Sequence, residues 1–140
     1  MKFIDFQGRE HIFELRREFG VKRKAESRSN AQWKLGRLLC KIYGRNNIFE
    51  DYPLPSCGNV SWDFWVPHQE VAFEFHGRQH DEFVKFFHGT KAGFMQQKAS
   101  DRKKAQIAEE NGIKLIIIRE GDFKNWTFEE LQKIIIKEID

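Results

Sequence analysis

The sequence is poor in the features that mark zinc-bound, secreted and membrane proteins. Its two cysteines, Cys40 and Cys57, lack the CxxC spacing of a zinc knuckle and are too few for a disulfide framework. No apolar run approaches the ~20 residues that span a bilayer. The opening MKFIDFQGREH contains no apolar block of the signal-peptide kind. We therefore expect one globular domain in a reducing, cytoplasmic compartment, with no membrane partner.

Charge is segregated along the chain, although the net charge is only +3. Residues 22–45 carry eight Lys and Arg against one Glu, and residues 83–104 carry six basic residues against one acid. Between them, residues 46–82 carry seven acids against one Arg. Two basic segments around an acidic centre suit a polyanion whose backbone faces the acids. The alternative is that these charges are the solvated faces of helices.

Residues 61–76 predict two short strands joined by a tight turn. Apolar residues alternate with others in SWDFWV and again in VAFEFH, and PHQE supplies the turn. Alternation puts Asp63 on the face of the first strand opposite its apolar row. It puts Glu74 and His76 together on the face of the second strand opposite Phe73 and Phe75. Gly77 then allows His80 to fold back towards them. The apolar row opposite Asp63 consists of Trp62, Phe64 and Val66.

Two carboxylates and two imidazoles beside an apolar hairpin have the composition of a metal site. Buried acids repel each other unless a cation lies between them. Oxygen ligands with imidazole favour Mg²⁺ or Mn²⁺ over a structural zinc. The alternative is that these side chains form the solvated face of the hairpin.

Periodicity predicts the remaining elements of an α/β fold, a central mixed β-sheet flanked by helices. Ser29 is the expected N-cap of a helix over 30–43, and Thr127 with Glu130 forms a capping box. Residues 71–76 and 113–118 are expected to pair as parallel strands across an intervening helix. Residues 1–28 are interpreted as an N-terminal basic helix or arm, and 29–140 as the main domain. Helices are predicted over 11–19, 30–43, 94–111 and 127–140.

This layout resembles that of the PD-(D/E)xK nuclease superfamily, with Asp63, Glu74 and His76 at the three motif positions. His76 stands where that superfamily usually has Lys. Within the superfamily, the string FEFHGRQH is similar to the E-x-D-G-x-Q-H string of the very short patch repair (Vsr-like) branch, which includes EDxHD-type phage homing endonucleases. The resemblance covers about residues 29–120. The downstream part of the pattern is matched by Gln97, Asp101, Lys104, Asn111, Gly112, Ile113, Leu115 and Ile116.

The resemblance implies a restriction-endonuclease-like core and an Mg²⁺- or Mn²⁺-dependent endodeoxyribonuclease of a bacterium or a phage-infected host cell. Asp63 and Glu74 would hold the ion, helped by the backbone carbonyl of Phe75. His76 is the first candidate for general base, and His80 would share that role or contact the phosphate. The residues expected to contact DNA are Arg78, Gln79, Lys98, Arg102, Lys104, Lys34 and Arg37.

One position departs from the family pattern. Gln32 stands where these families bring a catalytic Glu from the first helix, and an amide can orient water but cannot act as a base. Glu26 would substitute, or the site has fewer acids, or activity is reduced. A non-catalytic nucleic-acid-binding module therefore stays open beside a homing, nicking or restriction-like endonuclease and a junction- or flap-selective nuclease. Recognition of a long DNA site would need a homodimer, a separate partner or the N-terminal arm.

Overall fold

The computed structural model describes residues 1–58, 60–77 and 91–139, and that part of the chain is an α/β fold. Four strands form a mixed sheet in the order β3-β4-β5-β6, and β1 pairs with β2 in a separate hairpin. The strands are β1 Lys2–Ile4, β2 Glu10–Ile12, β3 Phe49–Pro53, β4 Ser61–Val66, β5 Val71–His76 and β6 Lys114–Arg119. The described α-helices are α1 Asn30–Tyr43, α2 Lys91–Glu110 and α3 Phe128–Ile139.

The predicted central hairpin is confirmed. β4 and β5 pair antiparallel, and the 3₁₀ turn Pro67–Gln69 joins them. Glu70 closes the turn in the left-handed region at φ 54°. The prediction of parallel pairing is also confirmed, because β5 and β6 run in register from Val71 opposite Lys114 to His76 opposite Arg119. The hairpin therefore lies in the middle of the sheet.

Apolar layers cover both faces of this sheet. One layer packs the sheet against α1 and α3, and the other packs it against β1 and α2. The first contains Leu35, Leu39, Phe64, Val66, Phe73, Ile116, Ile118, Leu131 and Ile135. The second contains Phe3, Phe49, Tyr52, Trp62, Trp65, Ala72, Ile107 and Ala108.

Trp62 departs from the predicted alternation of β4. Phe64 and Val66 face α1 as expected, but Trp62 belongs to the layer on the opposite side of the sheet. The register of β3 and β4 omits the pair Asp51–Asp63, and Asp51 has a left-handed φ of 50°. A backbone kink at this level interrupts the period-2 pattern, so parity no longer fixes the face of residues beyond it.

The helix predicted over residues 11–19 is wrong. β2 occupies Glu10–Ile12, and only a 3₁₀ turn, Arg17–Phe19, follows it. The reason lies in the turn before β2, where the buried Asp5 carboxylate accepts the N–H groups of Gln7 and Arg9, each at 2.9 Å. These bonds favour a hairpin over a helix. Phe3 from this hairpin is buried beside the sheet.

The helix starts follow the local sequence signals. Ser29 Oγ accepts the N–H of Gln32 at 3.0 Å, which confirms Ser29 as the N-cap of α1. The capping box of α3 is also confirmed, because Thr127 Oγ1 accepts from the N–H of Glu130 at 3.2 Å while Glu130 Oε1 accepts from the N–H of Thr127 at 2.8 Å. The first of these caps places Gln32 in the opening turn of α1.

We predict that Gly36→Val destabilises the fold by about 1–3 kcal/mol, because it overfills the contact between α1 and the sheet. A Cβ at Gly36 would lie 3.1 Å from Phe64 Cε1 and 3.4 Å from Val21 Cγ1. Gly36→Ala should be closer to neutral, because its tight contact is offset by about 1 kcal/mol of helix propensity. Urea unfolding measures both changes. Gly121→Val is the matched control, since a Cβ at Gly121 meets nothing within 4 Å; equal stability of the two valine variants would contradict the packing.

We predict that the stabilising effect of Glu130 is lost in acid. The N–H groups of Lys124 and Thr127 lower the pKa of Glu130 from 4.5 to about 2. A carboxyl whose pKa is lowered on folding stabilises the protein above its ordinary pKa, and this contribution declines as pH falls from 4.5 to about 2. Glu130→Gln should therefore destabilise at neutral pH and progressively less below pH 4.5. Urea unfolding across this pH range measures the stability of Glu130→Gln, with Glu129→Gln as the control. If the stability difference between wild type and Glu130→Gln did not change with pH, the capping role of the Glu130 carboxylate would be refuted.

Candidate active site

Asp63 and Glu74 lie opposite each other where β4 and β5 stop exchanging backbone hydrogen bonds. The antiparallel register ends at the pair Phe64–Phe73, one step before them. Beyond it, the N–H of Asp63 donates to Glu74 Oε2 at 2.7 Å. The N–H of Phe75 donates to Asp63 Oδ2 at 2.9 Å. Each carboxylate thus accepts a backbone N–H of the opposite strand, which satisfies groups that a regular ladder would have paired.

The two acids are buried, and in the part of the chain that the structure describes Lys104 and Arg28 are the cations near them. Asp63 is 7% exposed and Glu74 is 3% exposed. Lys104 comes from α2 and forms an ion pair with Glu74 Oε1. Two carboxylates and one ammonium leave one negative charge in excess when all three are ionised, and the exposed Arg28 guanidinium, which lies 4.0 Å from Asp63 Oδ1 and also pairs with Asp51, offsets that charge only in part. A low-dielectric interior penalises such a charge unless a proton or a further cation neutralises it.

The pKa values of the cluster follow from this imbalance. Burial, and then the neighbouring Asp63 carboxylate, raise the pKa of Glu74 to about 8 against the lowering effect of Lys104. Burial also raises the pKa of Asp63. Burial lowers the pKa of Lys104, but the two carboxylates raise it by more, so the ammonium stays charged. Near neutral pH the carboxyl pair therefore holds a proton that a bound cation could displace.

A cavity of about 370 Å³ opens beside the pair, between the start of α1 and the side of α2. Asp63 Oδ1 lies 4.0 Å from Arg28 Nη1 in this region. Gln97, Asp101 and Lys104 follow one another at i, i+4 and i+7 on α2, and all three line the cavity. The lining residues are Arg28, Ser29, Gln32, Asp63, Phe75, Gly77, Gln97, Ser100, Asp101 and Lys104.

Gln32 lies between the cavity and a second buried acid, Glu50. Gln32 Nε2 donates to Glu50 Oε2 at 3.0 Å, and the N–H of Lys22 donates to Glu50 Oε1 at 2.9 Å. Burial raises the pKa of Glu50. The next residue, Asp51, forms ion pairs with Lys22 and with Arg28, the latter at 3.4 Å. The orientation of the Gln32 amide is therefore set by Glu50.

Glu50 and Asp51 were missed by the sequence analysis. The available signal was a pair of acids within the otherwise apolar stretch IFEDYPL, which the structure shows as β3. Such acids are exceptional in a strand whose neighbours are buried. Their pairing with Gln32, Lys22 and Arg28 depends on the fold and leaves no local signature.

The structure brings together some of the residues predicted for the site. Asp63, Glu74, Phe75, Gln32 and Lys104 converge, and all of them except Glu74 line the cavity. His76 is buried at the end of β5 and is not among the described residues that line the cavity. Arg78, Gln79 and His80 lie outside the described residues.

The predicted DNA-contacting cations are distributed over two helices. On α2, Lys98 Nζ lies 5.5 Å from the centre of the Phe94 ring, and Arg102 is exposed. On α1, Lys34 Nζ lies 5.9 Å from the centre of the Trp126 ring. The guanidinium carbon of Arg37 lies 5.1 Å from the centre of the Trp33 ring. Lys104 differs from these, since its charge is engaged by the buried acids.

The donor set fits a loosely held Mg²⁺ or Mn²⁺ better than a structural metal. In the part of the chain that the structure describes, no group of three or more His, Cys, Asp or Glu could hold a metal ion. Asp63 reaches the cavity, and Glu74 accepts from Lys104 and from a backbone N–H behind it. Mg²⁺ commonly takes one or two carboxylates and completes its shell with water and substrate phosphate. Asp63, alone or together with Glu74, supplies that number of carboxylates.

Comparisons with protein-family models, with curated proteins and with solved structures give no match. Among the described residues, no helix combines the length and the apolar character needed to cross a bilayer.

We predict that Lys104→Met, measured with chelator present, destabilises the fold by about 3–5 kcal/mol above pH 8, because it leaves two buried carboxylates without their cation. The loss should shrink at lower pH. The pKa of Glu74 is raised from 4.5 to about 8, so across that window the folded state holds a proton that the unfolded state has released. Wild-type stability therefore falls as pH rises through the window. Without Lys104, which lowers the pKa of Glu74, the fall continues above pH 8, so the loss caused by the substitution is larger there than at lower pH.

Urea unfolding of Lys104→Met against Lys103→Met measures this effect. Lys103 is exposed on the same helix, with its Nζ 5.7 Å from the centre of the Phe6 ring. Similar losses for both variants at high pH would show that Lys104 does not neutralise the pair.

Proposed function

We propose that this protein is a metal-dependent DNA endonuclease that hydrolyses phosphodiester bonds with Mg²⁺ or Mn²⁺, on a restriction-endonuclease-like core. The observation that carries the proposal is the buried Asp63–Glu74 pair beside an open cavity, with the Lys104 ammonium paired to Glu74. Two acids kept inside a sheet at this electrostatic cost suit a site that binds a cation. The PD-(D/E)xK resemblance of the same residues supports the assignment.

In this proposal the acids have different tasks. Asp63 presents its carboxylate to the cavity and binds the ion, with Phe75 beside it, while Glu74 keeps the backbone of Asp63 in place through the 2.7 Å hydrogen bond. A bound divalent ion polarises the scissile phosphate and stabilises the leaving oxyanion. Glu74 would be the second carboxylate available to hold the ion, and its oxygen that accepts from Lys104 would be the one to do so.

The attacking water needs a group that orients it and a group that takes its proton. Gln32 lines the cavity and donates its amide N–H to Glu50, which leaves the amide oxygen to accept from water. His76 is the general base proposed from the sequence, because neutral imidazole titrates near the working pH. Lys104 also lines the cavity, but its ammonium stays charged and therefore cannot take this proton.

The surrounding charges favour a polyanion, and the PD-(D/E)xK resemblance indicates that this polyanion is DNA. The segment before α1 brings Arg28 to the cavity, and α2 lines its other side with Gln97, Ser100, Asp101 and Lys104. Residues 22–45 carry eight basic residues against one acid. Such a surface supplies the sequence-independent part of DNA affinity through phosphate contacts.

A non-catalytic DNA-binding module is the second candidate, and the hydrogen bonding of Glu74 favours it. Glu74 Oε2 accepts from the N–H of Asp63 and Oε1 accepts from Lys104, so both oxygens are engaged within the protein. Gln32 also supplies an amide where the resembling families have a carboxylate. In that case, Asp63, Glu74 and Lys104 stabilise the fold beneath a DNA-binding surface and carry out no chemistry.

We predict that the purified protein nicks or cuts plasmid DNA with Mg²⁺ or Mn²⁺, and that Asp63→Asn lowers the rate about a hundredfold or more, because it removes a ligand charge. Gel electrophoresis of supercoiled plasmid measures the rate, and chelator should abolish cleavage. Asp122→Asn is the matched control, since Asp122 is exposed in the 3₁₀ turn after β6.

Cleavage that persists in chelator, or in Asp63→Asn, would contradict the proposal. Absence of cleavage by the wild-type protein, with DNA binding retained, would favour the non-catalytic module. A panel of linear, forked and flapped substrates separates a general endonuclease from a structure-selective one.

A further inference from the structure

A second cavity, of about 280 Å³, lies on the outer side of α1 against the loop that precedes α3. We call it the basic groove. It presents three cations and two indole rings, and its described lining contains no carboxylate. The lining residues are Trp33, Lys34, Arg37, Leu38, Lys41, Asn125 and Trp126.

Cations and indole rings contact one another in this groove. The Trp33 ring centre lies 5.0 Å from Lys24 Nζ and 5.1 Å from the guanidinium carbon of Arg37. Lys34 Nζ lies 5.9 Å from the centre of the Trp126 ring. These are cation–π distances, and they keep the rings half-buried under cationic groups. A nucleobase that replaced one cation over a ring would leave that cation available for a phosphate.

Trp126 is held in an unfavourable backbone conformation. Its φ of 55° lies in the left-handed region, which a bulky side chain rarely adopts. One side of the ring stacks on Phe123, with centroids 4.2 Å apart and an interplanar angle of 7°. Such strain persists where the surroundings fix the residue, and it is common at ligand-binding positions. The indole is therefore presented to the groove in one orientation.

The groove adjoins the candidate active site. Phe75 donates its N–H to Asp63, and its ring lies 6.1 Å from that of Trp126. On α1, Gln32 lines the active-site cavity and the next residue, Trp33, lines the groove. The two cavities are therefore lined by consecutive residues of the same helix, α1.

We propose that the basic groove binds an unpaired stretch of DNA strand next to the scissile phosphate. Bases stack on Trp33 and Trp126, and Lys34, Arg37 and Lys41 contact phosphates. Stacking requires bases whose faces are accessible, and a continuous duplex does not offer them. The identity of the strand as DNA rests on the proposed nuclease function, which the groove then directs towards tailed, flapped or locally opened duplexes.

The carboxylate of Glu130, near the groove, does not oppose this ligand. Glu130 follows the loop, but its carboxylate accepts the N–H groups of Lys124, Asn125 and Thr127. Its charge is thus compensated by the backbone at the start of α3.

Binding of a labelled oligothymidylate, measured by fluorescence anisotropy with chelator present, tests the groove without cleavage. Arg37→Gln/Lys41→Gln should weaken binding and lower the slope of log affinity against log salt by about 1.4, since each single-strand phosphate contact contributes about 0.7. Lys114→Gln/Lys133→Gln removes the same charge from exposed positions outside the groove and should leave the slope unchanged.

The stacking part needs its own variant. Trp33→Leu keeps an apolar side chain and should weaken oligothymidylate binding about 5- to 150-fold, the effect of one lost base stack. An abasic strand of equal length retains the phosphates, so Trp33→Leu should bind it as the wild type does. If Trp33→Leu weakened binding of the intact and the abasic strand equally, base stacking on Trp33 would be overturned. If Arg37→Gln/Lys41→Gln had the same affinity and salt slope as Lys114→Gln/Lys133→Gln, the groove would be overturned as a binding site.

Cleavage with Mg²⁺ separates this inference from the proposed function. A tailed duplex should be cut faster than the same duplex without a tail, and Arg37→Gln/Lys41→Gln should remove that preference. Cleavage of both substrates at equal rates by the wild-type protein would overturn the groove's role and leave the nuclease intact. Absence of cleavage, with oligothymidylate binding still dependent on Arg37 and Lys41, would overturn the nuclease and leave the groove.

Discussion

The site depends on the replacement of ladder hydrogen bonds by two carboxylates. Asp63 and Glu74 accept backbone N–H groups across β4 and β5 where the regular pairing ends, so removing either acid would leave a buried donor unsatisfied. The acids are therefore part of the sheet as well as candidates for chemistry. Their excess negative charge attracts a proton, an ammonium or a divalent ion to this part of the sheet. Lys104 already supplies an ammonium there, and the cavity beside Asp63 has space for a further cation.

Local signals made much of the fold predictable. Period-2 alternation around the turn PHQE predicted β4 and β5, and Ser29 and the Thr127–Glu130 capping box marked the starts of α1 and α3. These features involve residues within a few positions of each other, so the sequence contains both partners. Parallel pairing of β5 with β6 followed from the intervening helix. The alignment of Gln97, Asp101 and Lys104 on α2 followed from helical spacing alone.

The parts that could not be predicted depend on contacts between distant segments. The N-terminal hairpin forms because Asp5 organises a turn, although the residues after it have near-helical apolar spacing. Glu50 reaches Gln32 only after β3 joins the sheet. Trp33 and Trp126 belong to elements separated by most of the chain, and no periodicity relates them. Tertiary packing decides each of these outcomes.

The central claim is that a divalent cation binds beside Asp63, and anomalous scattering from crystals soaked in Mn²⁺ tests it most directly. The account predicts an anomalous peak within ligand distance of the Asp63 carboxylate in the wild-type protein bound to DNA, and none in Asp63→Asn. Wild-type crystals without that peak would contradict the account. A peak that persisted unchanged in Asp63→Asn would contradict it as well.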